Sequence, residues 1–277
     1  MSELNDLSQL QRFSVDITEK VALLKINRPD KANALDLRGW QELANAIRLL
    51  DNTPEVRVII LFGEGKHFCS GIDLSVLMNL NQKVQNECEG RKGELLRKFL
   101  LELQGHISSV EQCSKPVIAA IHGGCIGGGI DLAAACDLRY CVDSAVFSIK
   151  EIDIGLVADL GTLQRLPKFM NLSYVAELAF TGKDISGHEA EKIGLVTRSF
   201  TTLEAMLAQV QELAQTIAAK SPLVVRGIKQ MLLYARDNSV SNSLNQMATW
   251  NAAMLLSNDL KEALDARSQK REPRFQD

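Results

Sequence analysis

The chain has 277 residues, with 31 lysines and arginines against 34 aspartates and glutamates, for a net charge of −3. That balance gives no general attraction to nucleic acid or an anionic membrane, and the length suits one large domain, or one with a smaller appendage. No stretch reaches the apolar length that spans a bilayer, and the opening Met1-Ser2-Glu3-Leu4-Asn5-Asp6 lacks the basic-then-apolar profile of a signal peptide. The expectation is a cytoplasmic protein, and the terminal Arg274-Phe275-Gln276-Asp277 is not a peroxisomal tripeptide. Six cysteines without a Cys-x-x-Cys pair read as reduced thiols, neither disulfides nor metal ligands.

Strand-like runs at 13–17, 21–26, 56–62, 117–121 and 138–142 alternate with helical stretches at 37–50 and 95–111, an α/β arrangement. The polar stretch 79–93 predicts a mobile loop or helix edge over a substrate channel. From Thr202 onward no strand remains. Leu203, Met206, Leu207, Val210, Leu213 and Ile217 form one helical stripe, Ser221-Pro222 starts a second helix, and 241–255 form a third.

Two small-residue turns each join a predicted strand to a helix. The second runs Gly123-Gly124-Cys125-Ile126-Gly127-Gly128-Gly129-Ile130-Asp131, with a helix expected over 132–136. At such a junction the first helical N–H groups lack partners, and glycines let a ligand oxygen come close, so the turn can hold a negative oxygen. A P-loop needs Lys then Ser or Thr where Ile130 and Asp131 stand, and no register supplies the dinucleotide glycine spacing. An oxygen that gains charge only during reaction, such as a thioester enolate, fits the turn. So does the plainer reading that the glycines serve close packing and Asp131 favours the helix N-terminus. The first turn, 63–74, follows the strand at 56–62 and makes Ser70, beside Gly128, a second candidate backbone donor.

Histidines 67, 106, 122 and 188 show no metal or metalloprotease spacing, and there is no Gly-x-Ser-x-Gly elbow. His67 and His122 flank the two turns, to shape them or to face a ligand.

The segments Asn27-Arg28-Pro29-Asp30-Lys31-Ala32-Asn33-Ala34-Leu35, Phe68-Cys69-Ser70-Gly71-Ile72-Asp73-Leu74 and Lys115 to Gly123 with the glycine turn resemble the crotonase (enoyl-CoA hydratase/isomerase) superfamily. The resemblance runs from about Phe13 to the C-terminus. It implies a spiral core of repeated β-β-α units over 1–200 with a helical trimerisation region over 201–277. It also implies an acyl-CoA thioester as substrate with no further cofactor, and assembly as a homotrimer or dimer of trimers. The thioester oxygen would be held by the backbone N–H groups of Ser70 and Gly128. Substrate would be lined by Lys31, Ala32, Ser70, Gly71, Ile72, Asp73, Leu74, Gly128 and Gly129.

Hydratases of the superfamily place Glu at the positions of Asp131 and Glu151. Here Asp131, Glu151 and Asp159, the last before Leu160-Gly161-Thr162-Leu163-Gln164-Arg165-Leu166-Pro167, are similar to the Δ3,5-Δ2,4-dienoyl-CoA isomerases. That likeness implies proton transfer from C2 to C6 through a dienolate, as in fatty acid β-oxidation, with Glu151 and Asp159 as the acid–base pair because one short side chain cannot reach both carbons. Ile149, Ile152, Ile154, Leu156, Val157 and Leu160 are expected to supply an apolar setting that separates the carboxyl pKa values.

Read without the resemblance, Glu151 fits a solvated strand end and Asp159 fits an N-cap for a helix near Leu160. Asp73 and Asp137 fit caps or partners of Arg139. The alternatives are a 2-enoyl-CoA hydratase or simple enoyl-CoA isomerase, or a non-catalytic relative that binds or assembles.

Overall fold

The computed structural model describes residues 7–277, apart from the side chain of Asn81; residues 1–6, read above for a signal peptide, lie outside the described residues. Strands β1 (Phe13–Thr18) and β2 (Val21–Ile26) form an antiparallel hairpin whose turn residues Glu19 and Lys20 both have positive φ, as a tight two-residue loop requires. Helix α1 (Leu37–Asn52) begins where the Asp36 carboxylate accepts from Gly39 N–H at 2.8 Å, and it buries Trp40, Leu43, Ile47 and Leu50 along one face. Strand β3 (Val58–Gly63) starts two residues later than the apolar run around it suggests.

Short helices α2 (Leu74–Met78) and α3 (Leu80–Lys83) precede the long α4 (Glu89–Gln112), so the polar stretch 79–93, expected as a mobile loop or helix edge, is helical toward both ends. Burial of Val84 and the approach of Lys83 Nζ to 5.2 Å from the Phe99 ring centre tie that stretch to the body of the protein.

The chain continues through β4 (Val117–Ile121), β5 (Gly124–Ile126), α5 (Gly128–Ala135), β6 (Leu138–Val142) and β7 (Val146–Ser148). A 3₁₀ turn (Lys150–Ile154), α6 (Thr162–Arg165), α7 (Leu172–Thr181), β8 (Ile185–Ser186), α8 (Gly187–Lys192) and β9 (Arg198–Phe200) follow. The main sheet has the order β1-β2-β3-β4-β6-β9, parallel from β2 onward, and β5-β7-β8 form a smaller sheet. Because β4 is covered on both faces it reads as an unbroken apolar run, with every residue buried.

After β9 the described residues are helical: α9 (Leu203–Ala218), α10 (Pro222–Asp237), α11 (Val240–Met254) and α12 (Asn258–Ser268), one helix more than the sequence stripes indicate. Helix α9 packs across β3, β4 and β6. Helix α10 is tied to the core by Lys229, whose buried Nζ lies 2.7 Å from Asp137 Oδ2 and 3.0 Å from Lys115 O. Asp137 therefore pairs with Lys229 and not with Arg139, whose guanidinium donates to Leu195 O and Cys136 O and stacks over Phe169. Five of the six free cysteines are buried. Among the described residues, no helix is long and apolar enough to cross a membrane, and no His, Cys, Asp and Glu group is placed to hold a metal ion.

Candidate active site

The two turns meet. An isolated bridge pairs Cys69 with Cys125, and Ile126 N–H donates to Cys69 O at 2.9 Å. A Cβ on Gly71, which has φ +89°, would stand 2.8 Å from Gly128 N and 2.8 Å from Ile126 O. A Cβ on Gly129 would stand 2.3 Å from Cys69 O, so Gly129 faces the neighbouring turn and is not simply a wall of the substrate path. Only glycine permits backbones this close. Trp40 of α1, fully buried, forms the floor: a Cβ on Gly128 would meet its ring at 3.2 Å.

The expected donor pair needs one correction. Ser70 N–H is already spent on Ala32 O at 3.1 Å, which leaves nothing to offer an oxyanion. Gly71 O accepts from Leu35 N–H at 2.8 Å and Asp73 N–H donates to Leu35 O at 3.0 Å, so both groups point toward Leu35. Peptide groups alternate in direction along an extended segment, which turns Ile72 N–H the other way. Neither Ile72 N–H nor Gly128 N–H has an acceptor among the described residues. The free N–H groups flanking the Gly71–Gly128 contact are thus those of Ile72 and Gly128.

The opening signature serves this arrangement indirectly. Ala32 and Asn33 both have positive φ. Asn33 is buried; its Oδ1 accepts from Arg28 N–H, and its Nδ2 donates to Glu64 O at 2.9 Å and His67 O at 2.7 Å. Sequence reasoning passed over Asn33 and Trp40; an Asn in a Gly/Pro-bounded segment was the available signal for the first. Lys31 is exposed, with its carbonyl 3.5 Å from Ser70 Oγ. Asp73 caps α2 through Ser75 N–H at 3.0 Å and pairs with Arg28 at 3.0 Å, and Leu74 is exposed. The histidines shape the turns: His67 Nδ1 accepts from Gly124 N–H at 3.0 Å, and His122 stacks on Phe62 with Nε2 3.0 Å from Gly65 O. Burial holds His122 below its ordinary pKa.

The three carboxylates gather beside the glycine turn. Asp131, in the first turn of α5 and almost wholly buried, accepts from Thr162 N–H at 2.6 Å and Thr162 Oγ1 at 2.7 Å, both on Oδ1. Burial raises it to about 6 against the pull of those two donors. Glu151, in the 3₁₀ turn, is not a solvated strand end: its carboxyl lies against Gly127, where a Cβ would meet Oε1 at 3.2 Å, and its Oε2 is buried without a partner. Burial first, then the charges of Asp131 and Asp159, push Glu151 up to about 7.

Asp159 is exposed at one edge, yet desolvation by its neighbours raises it above the ordinary aspartate value. It caps no helix, because α6 begins at Thr162 with Gly161 in the N-cap position. The apolar setting differs from expectation. Ile149 and Leu160 are buried, but Ile152, Ile154, Leu156 and Val157 face outward, Val157 at 73% exposure.

The family model described as enoyl-CoA hydratase/isomerase matches residues 16–277. Among curated relatives, a peroxisomal Δ3,5-Δ2,4-dienoyl-CoA isomerase of Arabidopsis thaliana is 51% identical over 91% of each chain. A mitochondrial one of Mus musculus is 43% identical over 94% of this chain and 80% of its own. Among solved structures, an enoyl-CoA hydratase of Bacillus anthracis superposes with a TM-score of 0.87 at 31% identity, over 96% of this chain and 99% of its own. The likeness to that structure gives the fold as the crotonase spiral. The cytoplasmic expectation does not stand, because these relatives are named for the peroxisome and the mitochondrion. With the match covering all but the first residues, the chain belongs to the enoyl-CoA hydratase/isomerase family.

Proposed function

We propose that this chain is an enzyme that isomerises 3,5-dienoyl-CoA to 2,4-dienoyl-CoA, a step that serves fatty acid β-oxidation. The observation that carries the reading is the trio of carboxylates at the glycine turn, where burial first, and then the charges of Asp131 and Asp159, raise Glu151 to about 7. Dienoyl-CoA isomerase relatives at 51% and 43% identity support it.

The thioester oxygen sits between Ile72 N–H and Gly128 N–H, donors fixed before the reaction and therefore most effective on the charge that develops during it. One of Glu151 and Asp159, ionised, takes a proton from C2. The electrons shift through the diene onto the oxygen, and the other carboxyl, protonated, returns a proton to C6. No electron is gained or lost overall, so the residues of the chain suffice without a cofactor. Two acids raised by desolvation, Glu151 to about 7 and Asp159 above its ordinary value, supply one proton acceptor and one proton donor in the same pocket. Asp131 stands behind them, its Oδ1 committed to Thr162, and its charge favours the protonated form of Glu151.

The protein assembles as a homotrimer or a dimer of trimers through the helices after Thr202. Ile228, Leu232, Leu244 and Leu264 on those helices, and Leu256 in the turn between the last two, are more than half exposed in the single chain, which supports burial against other copies. A spectrophotometric assay of 3,5-dienoyl-CoA conversion, run beside hydration of a 2-enoyl-CoA, tests the activity; hydration without isomerisation would overturn it. Light scattering that gives a monomer at micromolar concentration would overturn the assembly.

A further inference from the structure

Helix α4 carries two stripes on neighbouring faces. Leu103, Ile107 and Val110 enter the core. One position after each comes a polar residue: Gln104, Ser108 and Glu111, spaced four and three apart and so on one face. All three of these polar side chains point at the segment that follows Asp159. Gln104 Nε2 donates to Asp159 O at 2.7 Å. Ser108 Oγ accepts from Arg165 Nη2 at 3.1 Å, and Glu111 Oε1 accepts from Arg165 Nε at 3.2 Å. Arg165 in turn donates from Nη1 to Leu160 O at 3.2 Å. A Cβ on Gly161 would fall 1.7 Å from that same Nη1, so the guanidinium lies directly on the segment's backbone. Arg236 of α10 also binds Glu111, on the same Oε1.

We propose that Arg165, seated on the Gln104–Ser108–Glu111 face of α4, is a positioning residue that holds the backbone of residues 159–161 so that Asp159 meets its substrate carbon. This inference rests on the reading of Asp159 as a proton carrier. Asp159 needs such support. Its side chain has no hydrogen-bond partner on another of the described residues, and the loop before it, 152–157, is exposed. A cleft of about 450 Å³ runs along the seam, lined by Gln104, Ser108, Asp159, Gly161 and Arg165. Ala158 and Leu160 sink into the core on either side of Asp159, and the hydrogen bonds from α4 and Arg165 set the direction of the backbone between and after them. A displacement of about 1 Å at a proton carrier costs roughly a hundredfold in rate.

Arg165→Gln removes the fork, and Arg165→Lys keeps the charge but offers one point where three directions are needed. Both variants should lose roughly tenfold to a hundredfold in kcat, with affinity for a saturated acyl-CoA, measured by calorimetry, within about twofold of the parent by the same geometric argument. In an Asp159→Asn background Arg165→Gln should add almost nothing, since it acts through a residue already disabled. Gln104→Leu, which leaves the ion pairs alone, should give a smaller loss of the same non-additive kind and serves if Arg165→Gln fails to fold. Rescue by Lys would mean that charge alone matters, and would overturn the proposal. Losses that multiply fully with Asp159→Asn, or variants at Arg165 and Gln104 as active as the parent while Asp159→Asn is crippled, would overturn it and leave the Asp159 reading intact. An Asp159→Asn variant with parental turnover would remove both.

Discussion

The two halves of the site are built on opposite principles. On the oxyanion side the two turns meet backbone against backbone, Gly71 against Gly128 and Gly129 against Cys69 O, above the Trp40 ring. On the proton-transfer side the working groups are flexible side chains on a turn and loop, whose apolar residues Ile152, Ile154, Leu156 and Val157 face outward. Steric exclusion fixes the first half, and it tolerates no added atom. Electrostatics tune the second, and it tolerates isosteric change in shape while losing its chemistry.

The sharpest way to break the comparison is Gly129→Ala. Its methyl group would overlap Cys69 O at 2.3 Å and drive the two turns apart. Displacing one oxyanion donor costs about 3 kcal/mol of transition-state stabilisation, a factor of 10²–10³ in kcat. Turnover set against calorimetric affinity for an unreactive acyl-CoA checks this. Equal losses in both would make the turn a binding device alone.

Asp159→Asn comes next, with an expected loss of roughly a hundredfold in turnover and an unchanged unfolding midpoint, because volume is conserved and a proton carrier is removed. Parental turnover would return Asp159 to a structural role and favour the hydratase or simple isomerase alternative.

Glu151→Gln sharpens the contrast, because it should slow turnover while stabilising the fold. The Glu151 carboxyl stands at about 7 in the folded protein against 4.5 ordinarily, so the folded state holds a proton that the unfolded chain releases. The stability this confers is full below about pH 4 and lost as pH rises through 7. Replacing the acid by a neutral amide should therefore raise stability by about 2 kcal/mol at pH 8 and by little at pH 5, read by urea unfolding at both values. A gain that does not depend on pH would contradict the buried, unpartnered Oε2.

The smallest effect belongs to Thr162→Val, which removes the hydroxyl donor to Asp131 but keeps the backbone N–H at 2.6 Å. Asp131 should then titrate higher, and the acidic limb of the pH–rate profile should move up by about half a unit with a few-fold loss in kcat. A profile that does not move would show that the charge of Asp131 is not coupled to the proton carriers.

Much was legible without coordinates. The runs at 117–121 and 138–142 coincide with β4 and β6; β4 is continuous and apolar because a parallel strand covered on both faces needs such residues. Asp131 falls in the first turn of α5 as the spacing from Gly128 required. The family resemblance, not the residue pattern, singled out Glu151 from Asp153. The structure separates the two: Glu151 lies against Gly127, while Asp153 is exposed and pairs with Lys150.

Local sequence thus determined β1, β2, β3, β4, β6 and the glycine turns, since propensity and periodicity act over a few residues, while the class of chemistry came with the family resemblance. Only the tertiary structure decided which N–H groups stay free. Ser70 and Ile72 are two residues apart in one turn and look alike as donors. Their fates separate because Ala32, nearly forty positions earlier, turns its carbonyl to Ser70, while Leu35 takes the groups on either side of Ile72 and leaves its N–H pointing the other way. Whether a backbone donor is spent or available depends on which distant segment packs against it, and no pattern within the turn records that.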